Sequence, residues 1–113
     1  MTGLTYLSSY QLMWMMVLFD LPVQTPKEKK AYVDFRNFLL DMSFSMAQYS
    51  VYVRHTSGRD QIAPIVRKIE AAVPDEGRVD ILQFTDRQYA DIVSLRGRRG
   101  KQTPQNPSQL ALF

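Results

Sequence analysis

The stretch MWMMVLFDLP, residues 13–22, decides the fold. It is short, apolar almost throughout and closed by Pro22, which suits a buried strand from Met13 to Leu21 better than a helix. A period of two places Met15, Val17 and Phe19 on one face and Trp14, Met16, Leu18 and Asp20 on the other. Both faces are apolar, so both need cover, and the helices of a small α/β domain normally cover only one. The strand's one charge, Asp20, stands at its C-terminal end.

Downstream, Thr25 is suited to cap a helix, Pro26 to its first position, and Glu28 to close a capping box. Ala31, Phe35, Phe38, Leu39 and Met42 then form one apolar stripe, which predicts a helix ending between Asp41 and Ser43. Met46 to Arg54 is β-branched and aromatic and reads as a second strand. Ile62, Ile65, Val66, Ile69 and Val73 follow helical spacing, and Pro64 requires that helix to begin near Asp60. Pro74-Asp75-Glu76-Gly77 is a turn, and Val79 to Thr85 alternates as a third strand. Tyr89 to Leu95 reads as a fourth strand in preference to a short helix.

Two helices interleaved among four short strands predict an α+β, ferredoxin-like domain over residues 13–96: a split-βαβ antiparallel sheet with two helices on one face. In that arrangement the second strand is an edge and the first and third are central. The other sheet face stays bare, and Trp14, Met16 and Leu18 on it predict a face-to-face homodimer. Residues 1–12 read as an N-terminal extension, since Met13 would itself be a sensible start. Residues 97–113 read as a basic linker followed by an apolar C-terminal docking segment, with Leu110, Leu112 and Phe113 as its contact residues.

At 113 residues, 45% of them hydrophobic, the chain has room for one core. It contains no cysteine, which excludes a disulfide framework and thiolate metal ligation and fits a reducing compartment. The apolar run Leu12 to Phe19 is far short of the roughly 20 residues of a membrane helix. No signal-peptide pattern surrounds it, so the expected location is the cytoplasm, with no membrane partner. The net charge is +3. Arg96, Arg98, Arg99 and Lys101 concentrate positive charge near the C-terminus with no acid among them, a pattern that either attracts nucleic acid or simply solvates a tail.

No zinc spacing, phosphate-cradling glycine loop or dinucleotide fingerprint occurs. His55, the one histidine, has no partner in its sequence neighbourhood and reads as a loop residue. Asp20 admits two readings. It can cap the turn at Pro22, or it can ligate a metal, in which case a twofold axis must bring a second Asp20 opposite it.

Five separated segments together are similar to one family: MWMMVLFDLP, PKEKKAYVDFRNFLL, QYSVYVR, EGRVDILQFTDRQYADI and the terminal QLALF. They resemble the CRISPR-associated Cas-two proteins, most closely the branch from type II systems, over about Met13 to Phe113. The resemblance implies a ferredoxin-like homodimer that scaffolds the Cas-one integrase and binds duplex DNA as new spacers are inserted during antiviral defence. Phosphate contacts then fall to Arg36, Arg96, Arg98, Arg99 and Lys101. It also implies a magnesium-dependent endonuclease, acting on single-stranded RNA or duplex DNA, in which Asp20 is the catalytic residue and Mg2+ ligand, shared across the dimer axis. Many members carry Tyr before that aspartate; Phe19 stands there in this chain and donates no hydrogen bond. A toxin-like ribonuclease of related fold is a further alternative, which the terminal QLALF argues against.

Overall fold

In a computed structural model the fold is described for residues 12–98. The segment Met13–Asp20 is strand β1, Pro26–Asp41 helix α1, Ser45–Gln48 strand β2 and Val51–Thr56 strand β3. A 3-10 turn at Arg59–Gln61 opens into helix α2, Ile62–Ala72, followed by strand β4, Arg78–Thr85, and the short helix α3, Asp86–Ala90. The four strands form one antiparallel sheet in the order β2-β3-β1-β4. The α+β ferredoxin-like class is as expected and β1 is central. The strand expected beside it at the centre, Val79 to Thr85, instead lies at an edge as β4, and the second central strand, β3, comes from the segment expected at an edge.

The alternation of β1 is the organising fact. Met13, Met15, Val17 and Phe19 are buried, whereas Trp14, Met16 and Leu18 are half-buried and Asp20 is exposed. The buried set meets α1 through Tyr32, Phe35 and Leu39, and α2 through Ile62, Ile65 and Ile69. Burying each such aliphatic side chain stabilises the fold by about 1.5–3 kcal/mol. The second face of the strand therefore has only half the cover that its apolar residues call for.

Helix α1 starts where its capping box requires. Thr25 Oγ1 accepts from the Glu28 amide at 3.1 Å, and Glu28 Oε1 accepts from the Thr25 amide at 3.0 Å. It ends where Ser43 takes a positive φ of 71° and the Arg54 guanidinium donates to the Met42 carbonyl at 2.7 Å. Tyr32, absent from the predicted stripe, is buried on the core side, with its hydroxyl 2.8 Å from Ser50 Oγ.

Two strand assignments need correction. Residues 46–54 are not one strand: the chain reverses at Tyr49-Ser50, where Ser50 has φ 62°, and β2 folds back on β3. The turn carries neither glycine nor asparagine, so the usual hairpin signal is missing. Tyr89 to Leu95 is not a strand either. Thr85 caps α3 through a second capping box with Gln88, and no regular element follows α3 as far as residue 97. The sheet still has four strands, because the split of 46–54 supplies the one that 89–95 does not.

Candidate functional site

The sheet face away from α1 and α2 is assembled by register. Trp14 lies opposite His55 and Phe84, Met16 opposite Val53 and Leu82, Leu18 opposite Val51 and Asp80, and Asp20 opposite Arg78. Side chains directly opposite one another on adjacent strands share a face and touch. This open face thus runs from an aromatic end, through an apolar middle, to a charged end.

At the aromatic end α3 folds over the sheet. Tyr89 stacks on Trp14 with centroids 3.8 Å apart and planes 8° from parallel. The indole N–H of Trp14 donates to Asp86 Oδ1 at 2.7 Å, and His55 meets the indole edge-on at 5.3 Å. Trp14, expected at a dimer interface, is therefore already engaged within its own chain. In the middle, Met16 and Leu18 are half-buried and Leu82 is 42% exposed.

At the charged end Asp20 is exposed, and among the described residues its carboxylate has no hydrogen-bond or ion-pair partner. The neighbouring strand brings Arg78, whose Nε donates to both carboxylate oxygens of Asp80 at 3.2 Å. Gly77 fixes this juxtaposition. It has φ +107°, and a Cβ there would stand 2.6 Å from Leu21 Cδ2 and 2.8 Å from the Asp20 carbonyl oxygen. On the other flank the Phe19 amide donates to the Ser50 carbonyl at 3.1 Å. Asp20 is thus held between two tight turns. Neither Arg78 nor Asp80 stands out in the sequence; both became visible only when β4 paired in register with β1.

Magnesium takes hard oxygen donors, and Asp20 offers one accessible carboxylate. Among the described residues no three His, Cys, Asp or Glu side chains are grouped to hold a metal ion. One chain therefore offers the ion a single carboxylate, and a second chain's Asp20 would double that donor set.

Behind the charged end, on the helix side, Phe19 packs against Tyr32 and Phe35 and stacks on Tyr52. Burial pushes the Tyr32 phenol up to about 12, with the Ser50 hydrogen bond opposing, and burial also raises Tyr52, with the Arg36 charge opposing. Arg36 is half-buried, and neither its Nε nor the Tyr52 hydroxyl has a partner among the described residues. Arg36 is thus partly sunk beside a tyrosine cluster, unlike a freely solvated phosphate contact. Arg96 and Arg98 are exposed. Arg99, Lys101, Leu110, Leu112 and Phe113, together with residues 1–11 of the N-terminal extension 1–12, lie outside the described residues. No described helix is long and apolar enough to cross a membrane.

Comparison with known proteins is consistent along the chain. The family profile "CRISPR associated protein Cas2" matches residues 13–92. A relative from Paracidovorax avenae named "CRISPR-associated endoribonuclease Cas2" is 47% identical, the match covering 95% of this chain and 99% of that protein. Proteins of the same name from Parvibaculum lavamentivorans and Flavobacterium psychrophilum are 45% and 36% identical, over 89% and 96% of this chain and 100% and 95% of theirs.

Proposed function

The chain belongs to the CRISPR-associated Cas2 family, and from that premise we propose that it acts in spacer acquisition as a face-to-face homodimer. In this reading the dimer scaffolds the Cas-one integrase and holds duplex DNA. The observation that carries it is the apolar middle of the open face. Met16 and Leu18 are half-buried and Leu82 is exposed, on a sheet whose other face packs its central strands against α1 and α2. A rigid β-surface of this kind is stabilised by a second copy of itself through an isologous contact. The exposed Arg96 and Arg98 and the basic residues after them supply phosphate contacts.

The test is spacer integration reconstituted from this protein, its cognate integrase and a short duplex. Leu18→Glu places a carboxylate in the middle of the apolar stripe while leaving the helix-side core intact. We expect a folded monomer that no longer supports integration. Integration supported at wild-type rate by a verified monomer would overturn the scaffold reading.

A second reading is favoured by the relatives' names and by the unpartnered carboxylate of Asp20. In it the paired Asp20 side chains of a dimer hold Mg2+, which supplies Lewis-acid activation of water for phosphodiester hydrolysis. Asp20 would bind the ion, and Gly77 and Ser50 would hold the carboxylate in place from either flank. Loss of metal-dependent hydrolysis in a dimeric Asp20→Asn variant supports this reading, and undiminished hydrolysis removes it.

A further inference from the structure

Asp20 lies directly opposite Arg78 on the adjacent strand, yet Arg78 spends its Nε on Asp80 and leaves Asp20 unpaired among the described residues. Each chain therefore presents, at one end of its open face, a carboxylate, a guanidinium and a carboxylate in close sequence. Both terminal nitrogens of the guanidinium are left without a partner among the described residues, and the Arg78 side chain is 79% exposed. Three kinds of partner are conceivable for this edge. Its net charge of −1 repels a phosphate backbone. The guanidinium between the two acids opposes a bare cation, and the described residues group no three metal-ligating side chains. A second copy brings the same net charge, but it also brings an apolar stripe and can set each exposed guanidinium locally against a carboxylate.

We propose that Arg78 forms an ion pair with Asp20 of a second copy, twice over by symmetry, and that Asp20 is in this way a dimer-specifying residue. The inference rests on the homodimer reading above and adds the charges that orient it. The apolar stripe of Met16, Leu18 and Leu82 contributes area but little register. Alternating charges at its end fix how the two copies align and penalise other alignments. Asp80 holds the guanidinium by its Nε and leaves the terminal nitrogens of an exposed side chain available to a carboxylate. Gly77, which has no room for a Cβ, sets Arg78 beside Asp20 rather than one residue away.

The test measures self-association of the full chain by sedimentation velocity across a range of salt, with circular dichroism as the check on folding. Two symmetric exposed pairs of ordinary strength correspond to about a tenfold change in dissociation constant. Asp20→Asn and Arg78→Gln should each weaken the dimer by about that factor and flatten its salt dependence. Asp20→Arg alone should weaken it further, because it sets two cations against each other, and the exchanged double variant Asp20→Arg with Arg78→Asp should recover most of the loss. Arg78→Gln within twofold of wild type, or an exchanged double variant no better than its worse parent, overturns the pairing. Dissociation of the wild-type dimer by a chelator also overturns it, since the two carboxylates would then be held by metal. A folded wild-type chain that stays monomeric sinks the homodimer reading itself, whereas a stable dimer indifferent to Arg78 sinks this inference alone.

Discussion

The two ends of the open sheet face solve the same problem in opposite ways. Both carry side chains of β1 that point away from the helices. At the Trp14 end the chain covers them itself: α3 lays Tyr89 flat on the indole, and Asp86 accepts the indole N–H at 2.7 Å. At the Asp20 end nothing among the described residues folds over, and the cation opposite on β4, Arg78, is committed through its Nε to Asp80. Among the described residues one end is therefore covered by its own chain and the other is not. Apolar surface near Trp14 reports on the stability of the monomer, while charge near Asp20 reports on what the monomer meets.

The contrast breaks most readily at the closed end. Trp14→Ala removes the stack on Tyr89, the hydrogen bond to Asp86 and the edge contact with His55 together. Fully buried Trp→Ala changes cost about 3–5 kcal/mol, and for this half-buried indole the expected loss is about 2–3 kcal/mol. Urea unfolding measures it, and the loss should be the same at all protein concentrations at which the chain is monomeric. A Trp14→Ala chain of unchanged stability but weakened dimer would show that the indole belongs to the interface and that α3 does not hold it.

The turn beside Asp20 gives the next largest effect. Gly77→Ala forces a Cβ against the Asp20 carbonyl oxygen and Leu21 at φ +107°, so the turn must shift. The expected cost is about 1–3 kcal/mol of stability, from strain in the backbone. Because the turn sets β4 against the end of β1, self-association should weaken beyond what the lost stability explains. If Gly77→Ala lowers the urea midpoint and leaves association untouched, the turn contributes to folding alone.

Much of this was legible in the sequence. The alternation of Met13 to Asp20 specified both faces of the central strand, and Thr25-Pro26 with Glu28 specified the start of α1, because capping chemistry is local. The reversal at Tyr49-Ser50 was not legible: its positive φ falls on a serine, and the turn is held by contacts from elsewhere, Phe19 to the Ser50 carbonyl and Tyr32 to its hydroxyl. Asp20 stood out as the lone charge in an apolar strand. Arg78 and Asp80 did not, since nothing in EGRVDILQF marks them until pairing with β1 puts them on the same face as Asp20. Cross-strand neighbours arise from register, which is a long-range property.

The smallest effect tests whether the open end is braced from behind. Tyr32 joins α1 to the Ser50 turn through one hydrogen bond of 2.8 Å, and its ring packs on Phe19 next to Asp20. Tyr32→Phe keeps the ring and loses the bond, for an expected cost of about 1 kcal/mol at neutral pH. The same residue gives a pH signature. Burial raises the Tyr32 phenol to about 12, above its ordinary value of 10.0. The folded chain therefore binds a proton that the unfolded chain has begun to release. The stabilisation is fully present below pH 10 and is lost as the pH rises towards 12. Wild-type stability should fall across that interval, and Tyr32→Phe, which has no phenol to ionise, should fall less steeply. Tyr52, also raised by burial, leaves part of the slope in both proteins. Identical alkaline slopes for the two would mean that Tyr32 is not held neutral against the core, and the brace behind Asp20 would reduce to ring packing.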